Sequence, residues 1–307
     1  MMIKKFVPYP LKKIIQSTDL YSIIDSKRLA SSSKRLDICA AQFAQLLHLM
    51  DSKGIQGQTC LEIGSGWVLS HSLVCYLLGA KKVFATDISP NAHPSNLTLS
   101  INKSILSLVR DTLSPFEAHD RIRDRLDRLL KIKKFDTNEL KKIGIYYEAP
   151  LDFSKHRPKE DIDLIFSFSV LEHIPVDDVE NLINNLHSSL NTDGIQAHCI
   201  HMEDHKDIPN NPFSFLSIPH DKYSKTMQTD RGNRLRADQW ISIFRLLNNA
   251  DITQLYRWTR NDKKTPKIID NSIIYTDESD LRTTHIGILA TKKDNNQETS
   301  PNKKGHR

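Results

Sequence analysis

Short apolar runs alternate with stretches of helical periodicity along most of the chain. Before residue 58 the apolar positions recur at three- and four-residue spacing, which predicts two or three helices ahead of the first strand. Beyond that point, apolar runs bounded by polar or turn-forming residues predict strands. The predicted strands span residues 60–63, 82–86, 143–149, 162–170, 195–200, 252–258 and 285–291.

The segments between these strands are mostly helical. Residues 95–142 carry acidic and basic side chains at three- and four-residue spacing. This pattern is typical of exposed helices with ion pairs and predicts a long helical insertion after the second strand. A further helix is predicted to open at residue 176 and to end at Asp193-Gly194. Its apolar face would consist of Val179, Leu182, Ile183, Leu186 and Leu190.

Strands joined by helices in this way predict an α/β fold. Because such crossovers are right-handed, successive strand–helix units build a doubly wound, mostly parallel sheet. The predicted domains are an N-terminal helical cap over residues 1–58 and an α/β domain over residues 59–292. Residues 206–236, rich in Pro, Asn and Ser, predict a long loop placed to shape an acceptor pocket. Residues 293–307 are polar and charged, which predicts a disordered tail.

Composition places the chain among ordinary globular proteins. It has 307 residues, 38% of them hydrophobic, and a net charge of +6. No apolar run reaches the length of a membrane span, and the first residues lack the apolar core of a signal peptide. The four cysteines are widely spaced, which is typical of a reducing compartment. These features predict a cytoplasmic protein with no membrane partner, and the mild basic bias makes an anionic acceptor a candidate.

A glycine turn separates the first predicted strand from the helix that follows it. Gly64 and Gly66 lack a Cβ atom, so the backbone can turn sharply and a ligand can approach it closely. Asp87 ends the second strand about 20 residues later, where an acidic side chain binds the hydroxyls of a ribose. Glu62 stands two residues before the first glycine and can serve a cationic amino group.

Two cofactor classes use such a turn, and this stretch alone leaves both open. A dinucleotide site has the pattern G-x-G-x-x-G, but Leu69 occupies the third position. A methionine-sulfonium cofactor has no phosphate and fits Glu62 better. The turn also has a purely structural explanation, in which Gly64-Ser65-Gly66 closes a tight loop and Asp87 caps the following helix.

Further candidate residues follow the later strands. Asp152 and Phe153 come after the third strand, where an acidic side chain with an apolar neighbour can hold an adenine. Histidines follow the fourth and fifth strands, at the ends where open α/β sheets bind their ligands. A neutral imidazole there can take a proton from an acceptor. The candidate bases are His205, His201 and His173.

The same region also contains candidate ligands for a metal ion and for an anion. His201, Glu203, Asp204 and His205 could hold a divalent metal, but their spacing matches no established metal signature, and the sequence predicts no metal. Arg234 and Arg236 could hold a substrate carboxylate or phosphate, or could form structural ion pairs.

The motifs taken in order resemble those of class I S-adenosylmethionine-dependent methyltransferases, in the branch that acts on small molecules. The resemblance covers residues 55–205 and rests on E-x-G-x-G at Glu62–Gly66, on Asp87, on Asp152, and on D-L-I-x-S-x-S-V-L-E-H-I-P over residues 163–175. Val68 departs from the family, which often has a third glycine there. The resemblance implies the seven-stranded Rossmann-like methyltransferase fold and S-adenosylmethionine as cofactor. The implied cofactor residues are Glu62, Gly64, Ser65, Gly66, Asp87, Ile88, Asp152, Phe153, Ser169 and Val170.

The implied activity is methyl transfer to a hydroxyl or amine of a small molecule, such as a glycan or secondary-metabolite intermediate. The alternatives are a nucleic-acid methyltransferase and a non-catalytic binding protein of the same fold. A nucleic-acid methyltransferase would carry an Asn-Pro-Pro-Tyr type motif after the fourth strand, where Ser169-Val170-Leu171-Glu172 stands. A non-catalytic binding protein would not need an intact glycine turn and Asp87. The sequence identifies neither the acceptor nor the oligomeric state.

Overall fold

The computed structural model describes residues 19–293, with side chains described from residue 23 onward. The predicted disordered tail lies outside the described residues except at Lys293. The chain divides into two compact units, residues 1–151 and residues 152–307. The predicted boundary between a helical cap and an α/β domain at residue 58 stays a prediction.

The first unit contains three strands and seven helices among its described residues. Helices α1 and α2 precede the first strand, and four helices, α4 to α7, lie between the second and third strands. The elements are α1 (Asp19–Ala30), α2 (Leu36–Leu49), β1 (Thr59–Ile63), α3 (Ser70–Leu77), β2 (Lys82–Thr86), α4 (Asn96–Asn102), α5 (Leu106–Leu113), α6 (His119–Leu130), α7 (Thr137–Lys142) and β3 (Ile145–Glu148).

The second unit contains four strands, four α-helices and three short 3-10 helices among its described residues. The α-helices and strands are β4 (Ile162–Phe168), α8 (Val176–Ser188), β5 (Leu190–His201), α9 (Lys225–Arg231), α10 (Ala237–Phe244), β6 (Ala250–Thr259), α11 (Glu278–Arg282) and β7 (Thr283–Lys292). The 3-10 helices are Leu171–His173, Ser214–Ser217 and His220–Lys222.

The described strands form one seven-stranded sheet in the order β3-β2-β1-β4-β5-β7-β6. In the first unit β1 and β2 pair in parallel, as do β2 and β3. In the second unit β4 and β5 are parallel, whereas β7 runs antiparallel to both β5 and β6. This mostly parallel, doubly wound order confirms the fold class predicted from the sequence.

The boundary between α8 and β5 differs from the prediction. The helix ends at Ser188 and the strand begins at Leu190, so Leu190 is a strand residue and not part of the helix face. Asp193-Gly194 lies inside the strand, where the register against β4 shifts between Leu190 and Ile195. A Cβ atom on Gly194 would lie 2.8 Å from the carbonyl oxygen of Asn191. The glycine therefore permits a bulge and does not end a helix.

The segment predicted as a long loop over residues 206–236 is also more regular than expected. It contains two of the 3-10 helices and α9. Its apolar side chains are buried and pack with residues from later in the second unit. This cluster consists of Phe213, Phe215, Leu216, Tyr223, Ile273 and Leu281. The polar composition of residues 206–236 therefore did not indicate that their apolar side chains pack in a buried cluster. No helix among the described residues is long and apolar enough to cross a membrane.

Candidate active site

The glycine turn that follows β1 in the first unit has an unusual backbone conformation. Gly64 has a φ of 67° and Gly66 a φ of 64°, values that residues with a side chain rarely adopt. Leu69, at the start of α3, also has a positive φ of 64°, a conformation that costs about 1–2 kcal/mol for a non-glycine residue. The position that dinucleotide sites fill with glycine thus has a left-handed backbone in this chain and holds a buried leucine.

Asp87 closes this turn through its carboxylate. Oδ2 accepts a hydrogen bond from the amide of Gly66 at 2.9 Å, and Oδ1 accepts one from the amide of Ser89 at 2.9 Å. Burial raises the pKa of Asp87 and outweighs the opposing effect of these amides. Each carboxylate oxygen still has a lone pair for a further donor. Beside it Ile88 is 62% exposed, an apolar surface that could cover a flat ring.

Ser65, at the centre of the turn, holds a buried atom without a partner. The residue is 6% exposed, and its hydroxyl oxygen makes no hydrogen bond to the described residues. A hydroxyl buried in this way normally bonds to something. The turn thus offers an unused polar group where a ligand is expected.

Glu62 is buried in the first unit and is already bonded. Its Oε2 accepts a hydrogen bond from the hydroxyl of Ser72 at 2.5 Å, and its Oε1 lies 3.7 Å from Nδ1 of His71. Burial raises the pKa of Glu62 to about 7 despite the Ser72 hydroxyl. Both partners belong to α3, so the carboxyl group ties β1 to the helix that follows the glycine turn.

The predicted adenine contacts lie at the start of the second unit. Asp152 accepts hydrogen bonds from the amide and hydroxyl of Ser154 and pairs with Lys155 at 2.9 Å. Burial alone would raise the pKa of Asp152, but these partners hold it below its usual value. Phe153 is 5% exposed. The carboxylate therefore organises its own turn, and its role toward a cofactor stays a prediction.

Ser169 and Val170 follow β4. Ser169 has a φ of 55°, and its amide donates to the carbonyl oxygen of Cys199 at 2.8 Å. The left-handed serine is strained, and it turns the chain out of the strand into the 3-10 helix that begins at Leu171. The contact of Ser169 and Val170 with a cofactor stays a prediction.

The second unit brings Glu172, His173 and His205 together. Nε2 of His205 lies 4.0 Å from Oε1 of Glu172, and the rings of His173 and His205 are 4.6 Å apart. Nδ1 of His173 lies 2.6 Å from the carbonyl oxygen of Thr229. Since a carbonyl only accepts, Nδ1 carries the hydrogen and Nε2 of neutral His173 keeps its lone pair. This nitrogen is available to bind a proton or a metal.

Burial controls ionisation in this group. It raises the pKa of Glu172 to about 8 and lowers that of His173. In His205, burial and the neighbouring His173 and His201 lower the pKa to about 3. The two imidazoles are therefore neutral at physiological pH, as a general base or a metal ligand must be.

His201 belongs to an adjacent group with a different bonding pattern. Its Nε2 lies 2.7 Å from Oε2 of Glu203, whose Oε1 accepts a hydrogen bond from Arg260 at 2.9 Å. The ring of His201 stacks on that of His285 at 4.2 Å, because the two residues face each other in the β5–β7 register. Both oxygens of Glu203 are thus used, and the carboxylate orients His201.

Several members of these groups were not predicted as site residues. Glu172 appeared only as part of a family motif, and Glu203 only in a rejected metal set. His285 and Arg260 lie far along the chain and come close through strand pairing that no local pattern reveals. His198, in contrast, is fully buried and bonds to Ser167 at 2.8 Å, consistent with strand alternation placing it and His201 on opposite faces.

The two arginines predicted to bind substrate are both buried. Arg236 is 0% exposed, and its guanidinium donates to the carbonyl oxygens of Met202, Asp280, Leu281 and Thr283. Arg234 is 6% exposed, donates to the carbonyl oxygen of Ile218 at 2.6 Å and lies over the ring of Tyr223. These contacts give both side chains a structural role and count against a direct grip on a substrate anion.

No protein-family model matches the chain, and no curated protein matches it. A solved magnesium protoporphyrin IX methyltransferase from Synechocystis with bound S-adenosylhomocysteine is 12% identical, with a TM-score of 0.47, over 92% of this chain and 98% of that one. An N-methyltransferase from Bradyrhizobium japonicum is 14% identical, with a TM-score of 0.39, over 81% of this chain and 93% of that one.

A further solved structure, described as a putative S-adenosylmethionine-dependent methyltransferase from Listeria monocytogenes, is 12% identical, with a TM-score of 0.43. The match covers 82% of this chain and 100% of that one. Likenesses this distant do not bear on the activity or the substrate of this chain. The strand order of the sheet itself is what establishes its Rossmann-like class.

Proposed function

We propose that this protein is an S-adenosylmethionine-dependent methyltransferase that acts on a hydroxyl or amine of a small molecule. The observation that carries the proposal is the carboxylate of Asp87, which fixes the left-handed glycine turn through the amide of Gly66 at 2.9 Å. The unpartnered hydroxyl of Ser65 supports a ligand at the same turn. Both features fit a nucleoside cofactor of this fold class.

The first unit would hold the cofactor as follows. The remaining lone pairs of Asp87 accept the two ribose hydroxyls, and exposed Ile88 covers one face of the adenine. The glycine turn admits the amino-acid end close to the backbone, with Glu62 as the nearby acid. S-adenosylmethionine, when bound, supplies an electrophilic methyl group on a sulfonium sulfur.

The second unit supplies the groups that can handle the acceptor proton. His173 is fixed by Thr229 so that Nε2 is free to accept a proton, which is the requirement for a general base. Rate enhancement would come mainly from positioning, since methyl transfer needs the nucleophile in line with the breaking bond. Arg234 and Arg236 donate hydrogen bonds to backbone carbonyl oxygens within the protein. These two arginines therefore do not support an anionic acceptor.

Binding calorimetry tests the cofactor assignment. Titration with S-adenosylmethionine and S-adenosylhomocysteine should give dissociation constants in the micromolar range, whereas NAD should not bind. Asp87→Asn should weaken both by about tenfold or more, since each hydrogen bond to a charged group contributes about 1.5–3 kcal/mol. The matched control is Asp127→Asn, an exposed residue of α6 in the same unit, which should bind normally. Absence of binding to either methionine-derived ligand, or equal binding of NAD, would refute the assignment.

A further inference from the structure

We infer that Glu172, His173 and His205 form a binding site for a divalent transition-metal ion. One ligand atom from each side chain, the Glu172 carboxylate and a ring nitrogen of each histidine, lies within 4.8 Å of the other two. The sequence predicted no metal, and the candidate ligands it offered, His201, Glu203, Asp204 and His205, share only His205 with this group. The site is apparent only in three dimensions.

The topology of β4 and β5 explains why these residues meet. The two strands are parallel, and Phe168 pairs with Cys199 near their ends. The 3-10 helix Leu171–His173 follows β4, and His205 lies four residues beyond the end of β5. Parallel neighbours end at the same edge of a sheet, so the two connecting segments converge there.

Two of the three side chains present buried atoms that no hydrogen bond satisfies. Glu172 is 1% exposed. Neither of its carboxylate oxygens has a hydrogen-bond partner among the described residues, although the nearby backbone amides of Glu172 and His201 oppose the rise of its pKa. Nε2 of His205 is likewise buried without a partner. An isolated buried carboxylate is strongly unfavourable unless it is neutralised or coordinates a cation. A metal ion would satisfy both side chains at once.

The third side chain has the orientation that a metal ligand needs. The hydrogen bond from Nδ1 of His173 to the carbonyl oxygen of Thr229 fixes both the tautomer and the plane of the ring. Ligating histidines almost always donate their second nitrogen to a carbonyl or carboxylate in this way. The bond leaves the Nε2 lone pair for coordination.

The turn that carries two of the ligands is itself held in place. Asn233 donates its backbone amide to the carbonyl oxygen of Glu172 at 2.7 Å. Its side-chain amide donates to the carbonyl oxygens of Leu171 and Ile174 at 3.0 and 2.9 Å. A rigid turn keeps the ligand atoms in position before the ion arrives, which favours binding.

The spacing of the ligand atoms suits a metal ion after small side-chain adjustments. Ligands at about 2.1 Å from a tetrahedral centre stand about 3.4 Å apart. Oε1 of Glu172 and Nε2 of His205 are 4.0 Å apart. All three ligand atoms lie within 4.8 Å of one another, so closure onto an ion requires each pair to approach by about 1.4 Å or less.

The neighbouring group of His201, Glu203 and His285 also gathers three ligand atoms, but its bonds are already complete. His201 bonds to one oxygen of Glu203 and Arg260 to the other. The guanidinium supplies the positive charge that a metal would supply. This group therefore serves as an internal control, with similar residue types but a satisfied carboxylate.

The donor set indicates which ions can bind. Imidazole suits Zn²⁺, Fe²⁺, Co²⁺ and Ni²⁺, whereas Mg²⁺ and Ca²⁺ prefer oxygen ligands. Two imidazoles and one carboxylate leave at least one position open for water or an oxygen of another molecule. If the proposed methyl transfer is correct, that position would hold the acceptor hydroxyl. With the ion bound, Nε2 of His173 is a ligand, and the ion would lower the pKa of the hydroxyl in place of proton removal by this histidine. The metal site itself does not depend on that activity.

The test uses the full chain without a histidine tag, freed of metal by a chelator and titrated with Zn²⁺ in calorimetry and with Co²⁺ in visible absorption. One ion should bind per chain, and Co²⁺ should give ligand-field bands typical of four or five ligands. Glu172→Gln and His205→Asn should weaken binding at least 100-fold. His285→Asn, in the neighbouring group, should change it less than threefold.

Folding of each variant is checked by thermal unfolding without metal. Glu172→Gln removes a buried, unpaired carboxylate and should unfold at or above the temperature of the parent protein, so its loss of binding cannot be ascribed to misfolding. Zn²⁺ should raise the unfolding temperature of the parent but not of this variant. The inference is wrong if neither ion binds, if Glu172→Gln binds normally, or if His285→Asn abolishes binding. S-adenosylhomocysteine is titrated separately, so failure of either proposal leaves the other standing.

Discussion

Replacing Glu62 by glutamine should remove a large pH dependence from the stability of the protein. The carboxyl group is buried and accepts a hydrogen bond from Ser72 at 2.5 Å. Burial raises its pKa to about 7, from 4.5 in the unfolded chain. The folded protein thus binds a proton at Glu62 over a pH range in which the unfolded chain has released it.

The sign and size follow from proton linkage. Because the folded pKa lies above the unfolded one, the stabilising contribution is complete below about pH 4.5 and is lost as the pH rises through about 7. At 1.36 kcal/mol per pKa unit, the total change is about 3 kcal/mol, of which about 2.5 kcal/mol falls between pH 5 and pH 8. Glutamine keeps an acceptor for the Ser72 hydroxyl but cannot ionise.

Urea unfolding followed by circular dichroism measures this directly. The free energy of unfolding of Glu62→Gln minus that of the parent should increase by about 2.5 kcal/mol from pH 5 to pH 8. Glu180→Gln, on the exposed face of α8, is the control and should show a constant difference. A constant difference for Glu62→Gln as well would refute the reasoning and mean that Glu62 stays ionised in the folded protein.

Three further substitutions test the glycine turn and a buried arginine. Gly66→Ala and Gly57→Ala introduce a Cβ atom at residues with φ values of 64° and 78°, and no atom lies within 3.8 Å of either added Cβ. Because the left-handed backbone disfavours a side chain, each substitution should lower the free energy of unfolding by about 1–2 kcal/mol. In calorimetry, only Gly66→Ala should weaken S-adenosylhomocysteine binding, and an equal effect of both would mean that the glycine turn is not the cofactor site. Arg236→Met removes hydrogen bonds to four carbonyl groups and should cost about 3 kcal/mol or more in urea unfolding; a stable variant that lost only substrate affinity would restore the sequence prediction of a substrate-binding arginine.

The sequence predicted those parts of the fold whose signals are local. The bounds of β2 at Lys82 and Thr86 were exact, because an apolar run ends at turn-forming residues on both sides. The start of α8 at Val176 was also correct, because Pro175 cannot lie within a helix. The end of α8 was wrong, since Gly194 is required by the close approach of the Asn191 carbonyl within the bulge of β5, which the sequence does not reveal.

The residues of the candidate site also divide into those with a local sequence signal and those without one. The glycine turn and Asp87 could be predicted because their spacing is a local property of one strand–helix–strand unit. Burial could not be predicted, and it changes the interpretation of Arg234 and Arg236, which composition alone would place on the surface. The pairing of His201 with His285 could not be predicted either, because it depends on the register of two strands that are distant in sequence.

The second unit contains two glutamates in similar surroundings whose partners give them different roles. Burial would raise the pKa of Glu203, but His201 and Arg260 lower it below its usual value. Burial raises that of Glu172 to about 8 because no cation lies against it. Both residues stand beside histidines, but His201 hydrogen-bonds to Glu203 at 2.7 Å and Arg260 pairs with its other oxygen, whereas His205 stays 4.0 Å from Glu172. Glu203 therefore orients a ring, and Glu172 is the carboxylate that remains available for a proton or a metal ion.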